Sequence, residues 1–453
     1  LRCARRRSPA HTCGSLDKAS LDKASPDGAS PDGASLERAG RTPIMDSDMA
    51  PGRTGGRKAP AAKAHATGTA FESVALLLQG GGALGAYQAG VYEALLEAGI
   101  APSWIAGISI GAVNSAIIAG NPSERRIERL RAFWELVSEG DGGVWPSFWG
   151  GFLSDGPVRG WLNQISAGRI MAGGAPGFFT PRIPPPYLLP PTTRGATSWY
   201  DTAPLRATLE RLVDFDRINA RTARFSVGAV NVRTGNFTYF DNATHTIGPE
   251  HIMASGALPP AFEAVEIEGE PYWDGGLVSN TPLDWVLSSR SELNTLIFQV
   301  DLWSASGDAP RDLLEVAIRA KEIQFSSRTR AATDSFRQKQ QMRAVYNELL
   351  ELMPPELAAT PQARLLARAS DPAVYNIVQL VYRSPSYEGQ SKDYEFSRRT
   401  MEDHWAAGRR DAEMTLAHRE VLTLPEGPNS VDVYDFISPT SRNSPVRTEK
   451  DPA

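Results

Sequence analysis

The chain has 453 residues, of which 41% are hydrophobic and 22% charged, and its formal net charge is −5. That length supports one large domain with appendages or two domains, with a sizeable buried core. The acidic balance argues against the strongly basic footprint of a nucleic-acid binder, and the two cysteines, Cys3 and Cys13, lie too near the start to give the body of the chain a disulfide, a zinc cluster or a thiol nucleophile.

The opening Leu1-Arg-Cys-Ala-Arg-Arg-Arg7 is basic like the start of a signal peptide but runs into polar repeats instead of an apolar segment. From Ser15 to Ala39 a five-residue unit recurs as Ser-Leu-Asp-Lys-Ala twice, Ser-Pro-Asp-Gly-Ala twice and Ser-Leu-Glu-Arg-Ala once. A period this short, with Pro and Gly and hardly a bulky apolar residue, closes no core and is expected to be disordered. Met45 and Met49 follow these repeats, and the expectation is that residues 1–44 are an upstream extension of the reading frame. Gly, Ala, Lys and Arg then continue as linker to about Ala70.

Order is predicted to begin with Val74-Ala-Leu-Leu-Leu78, an apolar run suited to a buried parallel strand. Gly80, Gly81 and Gly82 follow, then a helix over Ala83 to Ala98 that carries Leu84, Tyr87, Val91, Leu95 and Leu96 and stops at Gly99. A second strand is predicted over Ile100 to Ala106. Ser109 comes at once, flanked by Gly107 and Gly111, before a small-residue helix from Ala112 to Ala119. This is a right-handed βαβ unit by default.

Ile127 to Val137 reads as an amphipathic helix. Between Gly140 and Tyr200 the composition turns aromatic, with Trp145, Phe148, Trp149, Phe152, Trp161, Phe178, Phe179 and Trp199 around the Pro-rich run Pro181 to Pro191. Either a proline-stiffened cover for the sheet edge or a lid and acyl-chain surface fits that pattern. Leu205 to Val213 is predicted helical, and Phe225 to Val232 pairs with Phe237 to Phe240 as a hairpin. A second turn at Glu268-Gly-Glu270 leads to Asp274-Gly275-Gly276. Leu296 to Val300 is a further buried strand ending at Asp301. From Pro310 helical patterns take over, broken at Pro354-Pro355 and Pro372, and the chain after Pro425 reads as a loose polar tail.

Gly107-x-Ser109-x-Gly111 between strand and helix has the form of a nucleophile elbow, where small neighbours expose a serine Oγ at a strained turn. Gly80, Gly81 and Gly82 open the preceding helix, and backbone N–H groups there are suited to an oxyanion. The same glycines satisfy Gly80-x-Gly82-x-x-Gly85, a dinucleotide-binding fingerprint, but the second strand ends at Trp104-Ile-Ala106 without the carboxylate that fingerprint needs. A serine needs a base. The order Ser109, Asp274, His404 is that of a Ser-Asp-His triad in an α/β-hydrolase, while Asp274-Gly-Gly in isolation is more often just a turn. His251 is expected to brace a loop. Asp301 fits a cap better than a site-orienting role. The Arg-rich stretch from Val316 to Arg343 fits a solvated face, or one that meets head groups or a partner.

Taken together, Gln79-Gly-Gly-Gly-Ala-Leu-Gly-Ala-Tyr-Gln-Ala-Gly90, Gly107-Ile-Ser-Ile-Gly111, Ala254-Ser-Gly-Ala-Leu-Pro259 and Asp274-Gly-Gly276 resemble, in this order, the patatin-like phospholipase family. Tyr387-Glu-Gly-Gln-Ser-Lys-Asp-Tyr-Glu-Phe396 is similar to a C-terminal region of a bacterial subgroup. The resemblance implies a three-layer α/β/α fold with a mostly parallel sheet and a mainly helical C-terminal extension. It also implies a lipid acyl hydrolase that works through a Ser-Asp dyad without histidine, metal or organic cofactor. By position Ser109 is then the nucleophile, Asp274 its base, and Gly80, Gly81 and Gly82 the oxyanion loop, with Gly107, Gly111, Gly275 and Gly276 as support. One departure is Leu84, where many family members carry a basic residue. A Ser-His-Asp esterase and a non-catalytic lipid-binding protein are the alternatives. The expected layout is a disordered segment over 1–69, the catalytic domain over 70–305, the extension over 306–424 and a tail over 425–453. The expected partner is a lipid or ester substrate, met in the cytoplasm or by transient contact with a membrane surface, with no nucleic acid.

Overall fold

A computed structural model describes residues 69–139, 157–193, 195–289, 293–326, 329–385, 387–425 and 430–437. The repeats, both cysteines, and Trp145, Phe148, Trp149 and Phe152 lie outside these residues. The chain runs β1 (Ser73–Leu78), α1 (Ala86–Glu97), β2 (Trp104–Gly107), α2 (Ile110–Ala119), α3 (Arg126–Val137), α4 (Pro157–Gly173), β3 (Thr180–Pro181), β4 (Tyr200–Asp201), α5 (Ala203–Leu212) and α6 (Phe215–Asn219). It continues through β5 (Arg224–Asn231), β6 (Phe237–Asp241), α7 (Pro249–Ser255), β7 (Val265–Ile267), β8 (Glu270–Asp274), α8 (Leu283–Ser288) and β9 (Thr295–Asp301). The last part holds α9 (Leu313–Phe325), α10 (Thr329–Glu351), α11 (Pro355–Ala358), α12 (Pro361–Ala369), β10 (Tyr375–Val381), α13 (Arg398–Ala417) and β11 (Val431–Tyr434).

Period-two side chains put opposite faces of one strand into different cores. Val74, Leu76 and Leu78 of β1 join a cluster with α1, α2, α3 and α13, whereas Ala75 and Leu77 join Leu283, Val286 and Leu287 of α8 and Phe336 of α10. The sheet is thus covered on both faces, which is why its central strands are apolar throughout. Its order is β11-β10-β9-β1-β2-β5-β8-β7, with β6 also on β5. The six strands from β11 to β5 are parallel, and β6, β7 and β8 add an antiparallel margin. The expected three-layer architecture is present.

Three differences from the expectation have physical causes. The second strand starts at Trp104 and not Ile100, because Pro102 has no N–H for the ladder and Ser103 instead receives Val74 N–H on its Oγ at 3.1 Å. The C-terminal region is mainly helical but also supplies β10, whose seven residues lie between Pro372 and Pro385 and pair with β9 along their full length. β11 falls in the stretch read as a loose tail, and parallel pairing with β10 orders it. Val431-Asp-Val-Tyr434 alternates, and Val431 and Val433 pack into the sheet's second core once β10 offers its edge.

α13 crosses α1 at backbone contact. A Cβ on Gly90 would strike the Trp405 carbonyl, and one on Gly408 would strike that of Tyr87. Around this crossing Tyr87 donates to Asp411 at 2.8 Å and Trp405 to Glu93 at 2.7 Å. Gly90→Val should therefore separate the two helices and lower unfolding stability by about 2 kcal/mol or more, measured by urea denaturation. A change within about 0.5 kcal/mol would show that the crossing tolerates a side chain.

Candidate active site

The parallel order of β1 and β2 brings both of their carboxyl ends to one edge, and the two glycine motifs leave the sheet there side by side. Ile108 N–H donates to the Leu78 carbonyl at 3.0 Å, which locks the second turn onto the first. Ser109 sits at φ 56° and ψ −124°, a left-handed conformation that strains a residue with a Cβ. Its neighbours make that turn feasible. A Cβ at Gly107 would meet the Gly111 carbonyl, and one at Gly111 would meet that of Leu78. α2 begins at once, so Ser109 stands over the positive end of its helix dipole.

The Ala254-Ser-Gly-Ala-Leu-Pro259 block connects the turn to the acidic residue. Ser255 Oγ accepts Ser109 N–H at 3.0 Å and donates to the Gly228 carbonyl at 2.7 Å, while Ala257 carbonyl accepts Asp274 N–H at 3.0 Å. Asp274 ends β8 against β5 and is 2% exposed. Burial pushes its carboxyl up to about 7, against the opposing pull of hydrogen bonds from the Ser109 hydroxyl and from Gly276 N–H, the latter 2.7 Å from Oδ1. Gly275 and Gly276 open the short turn that follows the strand.

The glycine loop is clamped from behind. Gly80 N–H donates to the Asn280 carbonyl at 3.2 Å, and the Gly80 carbonyl accepts from Asn280 Nδ2 at 3.0 Å and Trp303 Nε1 at 2.9 Å. Gly80 therefore has its N–H committed, whereas those of Gly81, Gly82 and Ile110 have no acceptor among the described residues. Gln79 Oε1 accepts from Leu302 N–H at 2.5 Å and Trp303 N–H at 3.0 Å. Asp301 accepts from Thr281 Oγ1 at 3.0 Å and from Gln299 Nε2 at 2.6 Å, so it ties the end of β9 to the Asn280 segment. Leu84 is fully buried in the core and does not line the cavity.

Ser109 and Asp274 lie in one cavity of about 320 Å³ with Gly80, Gly81, Gly82 and Gly276. Its walls are apolar, from Val113, Ile170, Phe178, Phe179, Leu258 and Phe262, and the C-terminal region adds Phe325, Asp393, Tyr394 and Phe396. The Asp393 carbonyl also accepts Ala83 N–H at 2.7 Å. His404 is elsewhere. It is 1% exposed on α13, with Nε2 2.9 Å from Glu388 and Nδ1 3.4 Å from the Ala83 carbonyl, so the ordering Ser109, Asp274, His404 is not assembled as a triad. Burial alone would lower the His404 pKa, but the facing Glu388 carboxylate outweighs it and the pKa is raised. His251 accepts Gly248 N–H at 3.0 Å at the start of α7, the bracing role expected of it.

Asn280, Trp303, Ser255 and Ile110 were not singled out from the sequence. Ile110 directly follows the serine of the elbow, a position that motif itself marks, and Ser255 lies within the Ala254–Pro259 block. Asn280 and Trp303 had no local signal, since their role is to bond a carbonyl some 200 residues away.

Residues 76–287 match the family model described as patatin-like phospholipase, and residues 323–427 match one described as patatin phospholipase. No curated protein matches. Among solved structures, the chain is similar to VipD from Legionella pneumophila, with 15% identity, TM-score 0.32, and coverage of 76% of this chain and 66% of that one. It is also similar to the type III effector protein ExoU, with 14% identity, TM-score 0.29, and coverage of 77% and 53%. The chain thus spans just under two thirds of the first and about half of the second. With both matched segments contributing to one cavity, the chain belongs to the patatin-like phospholipase family.

Proposed function

We propose that the protein hydrolyses carboxylic esters of lipids through an acyl-enzyme on Ser109, with Asp274 as the base. The observation that carries this reading is a buried carboxyl raised to about 7, hydrogen-bonded to a serine hydroxyl on a strained elbow within an apolar cavity. An ordinary carboxylate is about two to three pKa units too weak to match imidazole as a base, and desolvation closes that gap.

In the first half-reaction the Asp274 carboxylate takes the Ser109 proton as Oγ attacks the ester carbonyl. The tetrahedral oxyanion is held by N–H groups of Gly81 and Gly82, with Ile110 N–H at the helix start as a third donor. Gly80 acts through its clamp, setting the loop instead of donating. As the C–O bond breaks, Asp274 returns the proton to the leaving alcohol, and water then repeats the sequence to release the fatty acid. The apolar walls suit an acyl chain and keep bulk water from the carboxyl.

A fluorophosphonate probe should label the wild type and leave Ser109→Ala unlabelled. An unlabelled wild type would overturn the enzyme reading in favour of a lipid-binding protein. Only ionised Asp274 accepts a proton, so kcat/KM on a soluble ester should climb as pH rises toward about 7 and level off above it. A rate that is flat down to about pH 5 would exclude a base of this kind.

The same burial has a cost to folding. The folded state favours the neutral Asp274 carboxyl, so this group is harmless below its unfolded value of 3.8 and destabilises increasingly as pH rises to about 7. Asp274→Asn should abolish turnover yet raise unfolding stability by up to about 4 kcal/mol near pH 8, with the gap closing toward pH 4. Chemical denaturation of both proteins at the two pH values measures this, and an equal gap at both would contradict it.

A further inference from the structure

Large apolar side chains are exposed on the two elements beside the cavity, α4, which lines it through Ile170 and Met171, and the β3–β4 segment, which lines it through Tyr200. On α4, Trp161 is 64% and Ile165 38% exposed, while the opposite face of the helix is buried through Ala167 and Ile170. The helix therefore turns apolar residues both inward and outward, a pattern expected of a helix with an apolar environment on each side. Between β3 and β4, Ile183 is 92%, Tyr187 73% and Leu188 66% exposed, and the Tyr187 ring lies 6.2 Å from that of Trp199.

These two elements form one rim. Tyr200 Oη donates to the Met171 carbonyl at 2.9 Å, joining the end of α4 to β4. Met171 is itself 54% exposed and also lines the Ser109 cavity, so the exposed surface and the cavity wall meet in one side chain. Charge is largely withdrawn from this surface. Arg159 is 5% exposed, paired with Asp403 and 4.0 Å over the Tyr387 ring, and Arg182 turns to Glu263 at 2.9 Å and Ser198 at 3.0 Å. Among the described residues of α4 and the β3–β4 segment, Arg169 is the cation left at the surface.

We propose that this rim is a docking face for a lipid bilayer, through which α4 and the β3–β4 segment insert apolar side chains and bring the cavity mouth against the acyl layer. The occupant follows from continuity with a cavity suited to acyl chains, and the inference rests on the lipid hydrolase reading above. Trp and Tyr at a rim of aliphatic side chains suit the boundary between head groups and hydrocarbon. With so little free positive charge among the described residues of the rim, binding depends on insertion and not on attraction to anionic lipid, so neutral vesicles suffice and salt has little effect.

The test uses the full chain carrying Ser109→Ala, so that vesicles stay intact, sedimented with phosphatidylcholine vesicles. Ser109→Ala should bind, with binding retained at about 0.5 M NaCl. Adding Trp161→Ser, Ile183→Ser and Leu188→Ser should reduce partitioning about tenfold or more. The same triple variant with Ser109 restored should hydrolyse a soluble short-chain ester within about twofold of wild type, which also shows that it folds. Equal partitioning of both proteins would overturn the proposal, as would binding that requires anionic lipid and vanishes in salt. Light scattering that shows a dimer broken by the triple variant would assign the face to a second copy and overturn it too. Partitioning is read without turnover, so failure of the catalytic reading appears separately, as lost probe labelling of a protein that still sediments with vesicles.

Discussion

The desolvation of one carboxyl group is the constraint on which the site depends. Asp274 keeps two hydrogen bonds, from Ser109 and Gly276, in place of its hydration shell, and that shortfall raises its proton affinity. Maintaining it requires apolar walls close to a strained turn. The strain at Ser109 is sustained because the turn is held on several sides, by the Leu78 carbonyl, by Ser255 and by the tight Gly107–Gly111 approach. Each of these contacts comes from a different segment, so the site is a property of the sheet edge and not of any one loop.

The region after β9 is part of that edge. It contributes two strands to the sheet, a helix crossing α1 at backbone distance, and Asp393, Tyr394 and Phe396 to the cavity. Behind the glycine loop, His404, Glu388 and Tyr382 form a buried polar cluster, with the Tyr382 hydroxyl donating to Glu388 at 2.6 Å. Such a cluster is costly to bury unless it is satisfied, and here both bonds converge on Glu388 Oε1 while the buried Oε2 has no hydrogen bond among the described residues. The cluster secures α13 and the 387–396 segment against the Ala83 end of the loop, so the C-terminal region supports the glycine loop at one end while Asn280 and Trp303 hold it at the other.

Local chemistry was legible wherever a motif is complete within a few residues. The elbow at Ser109 and the glycine run follow from sterics over a span of about five residues, whereas Asp274-Gly-Gly taken locally is a turn and stood out only through the family resemblance. Strand β10 was also within reach, since Tyr375-Asn-Ile-Val-Gln-Leu-Val381 is a short apolar run rich in β-branched residues with a proline on either side. β11 was not, because four residues, Val-Asp-Val-Tyr, set in a polar tail are too short a pattern and exist as a strand only through their partner. The donor status of Gly80 was likewise hidden, as it turns on the Asn280 carbonyl far along the chain.

What the sequence determined by itself is the βαβ core, both glycine turns and the residue types the chemistry would need, because each rests on backbone sterics and short-range periodicity. Tertiary structure alone decided that His404 faces Glu388 instead of Asp274, that Gly80 is clamped while Gly81 and Gly82 keep their N–H groups, and that Asp274 loses its water. These outcomes depend on which distant side chains fill the space around a group. Burial and hydrogen-bond partnership are set by packing, and no local pattern encodes them.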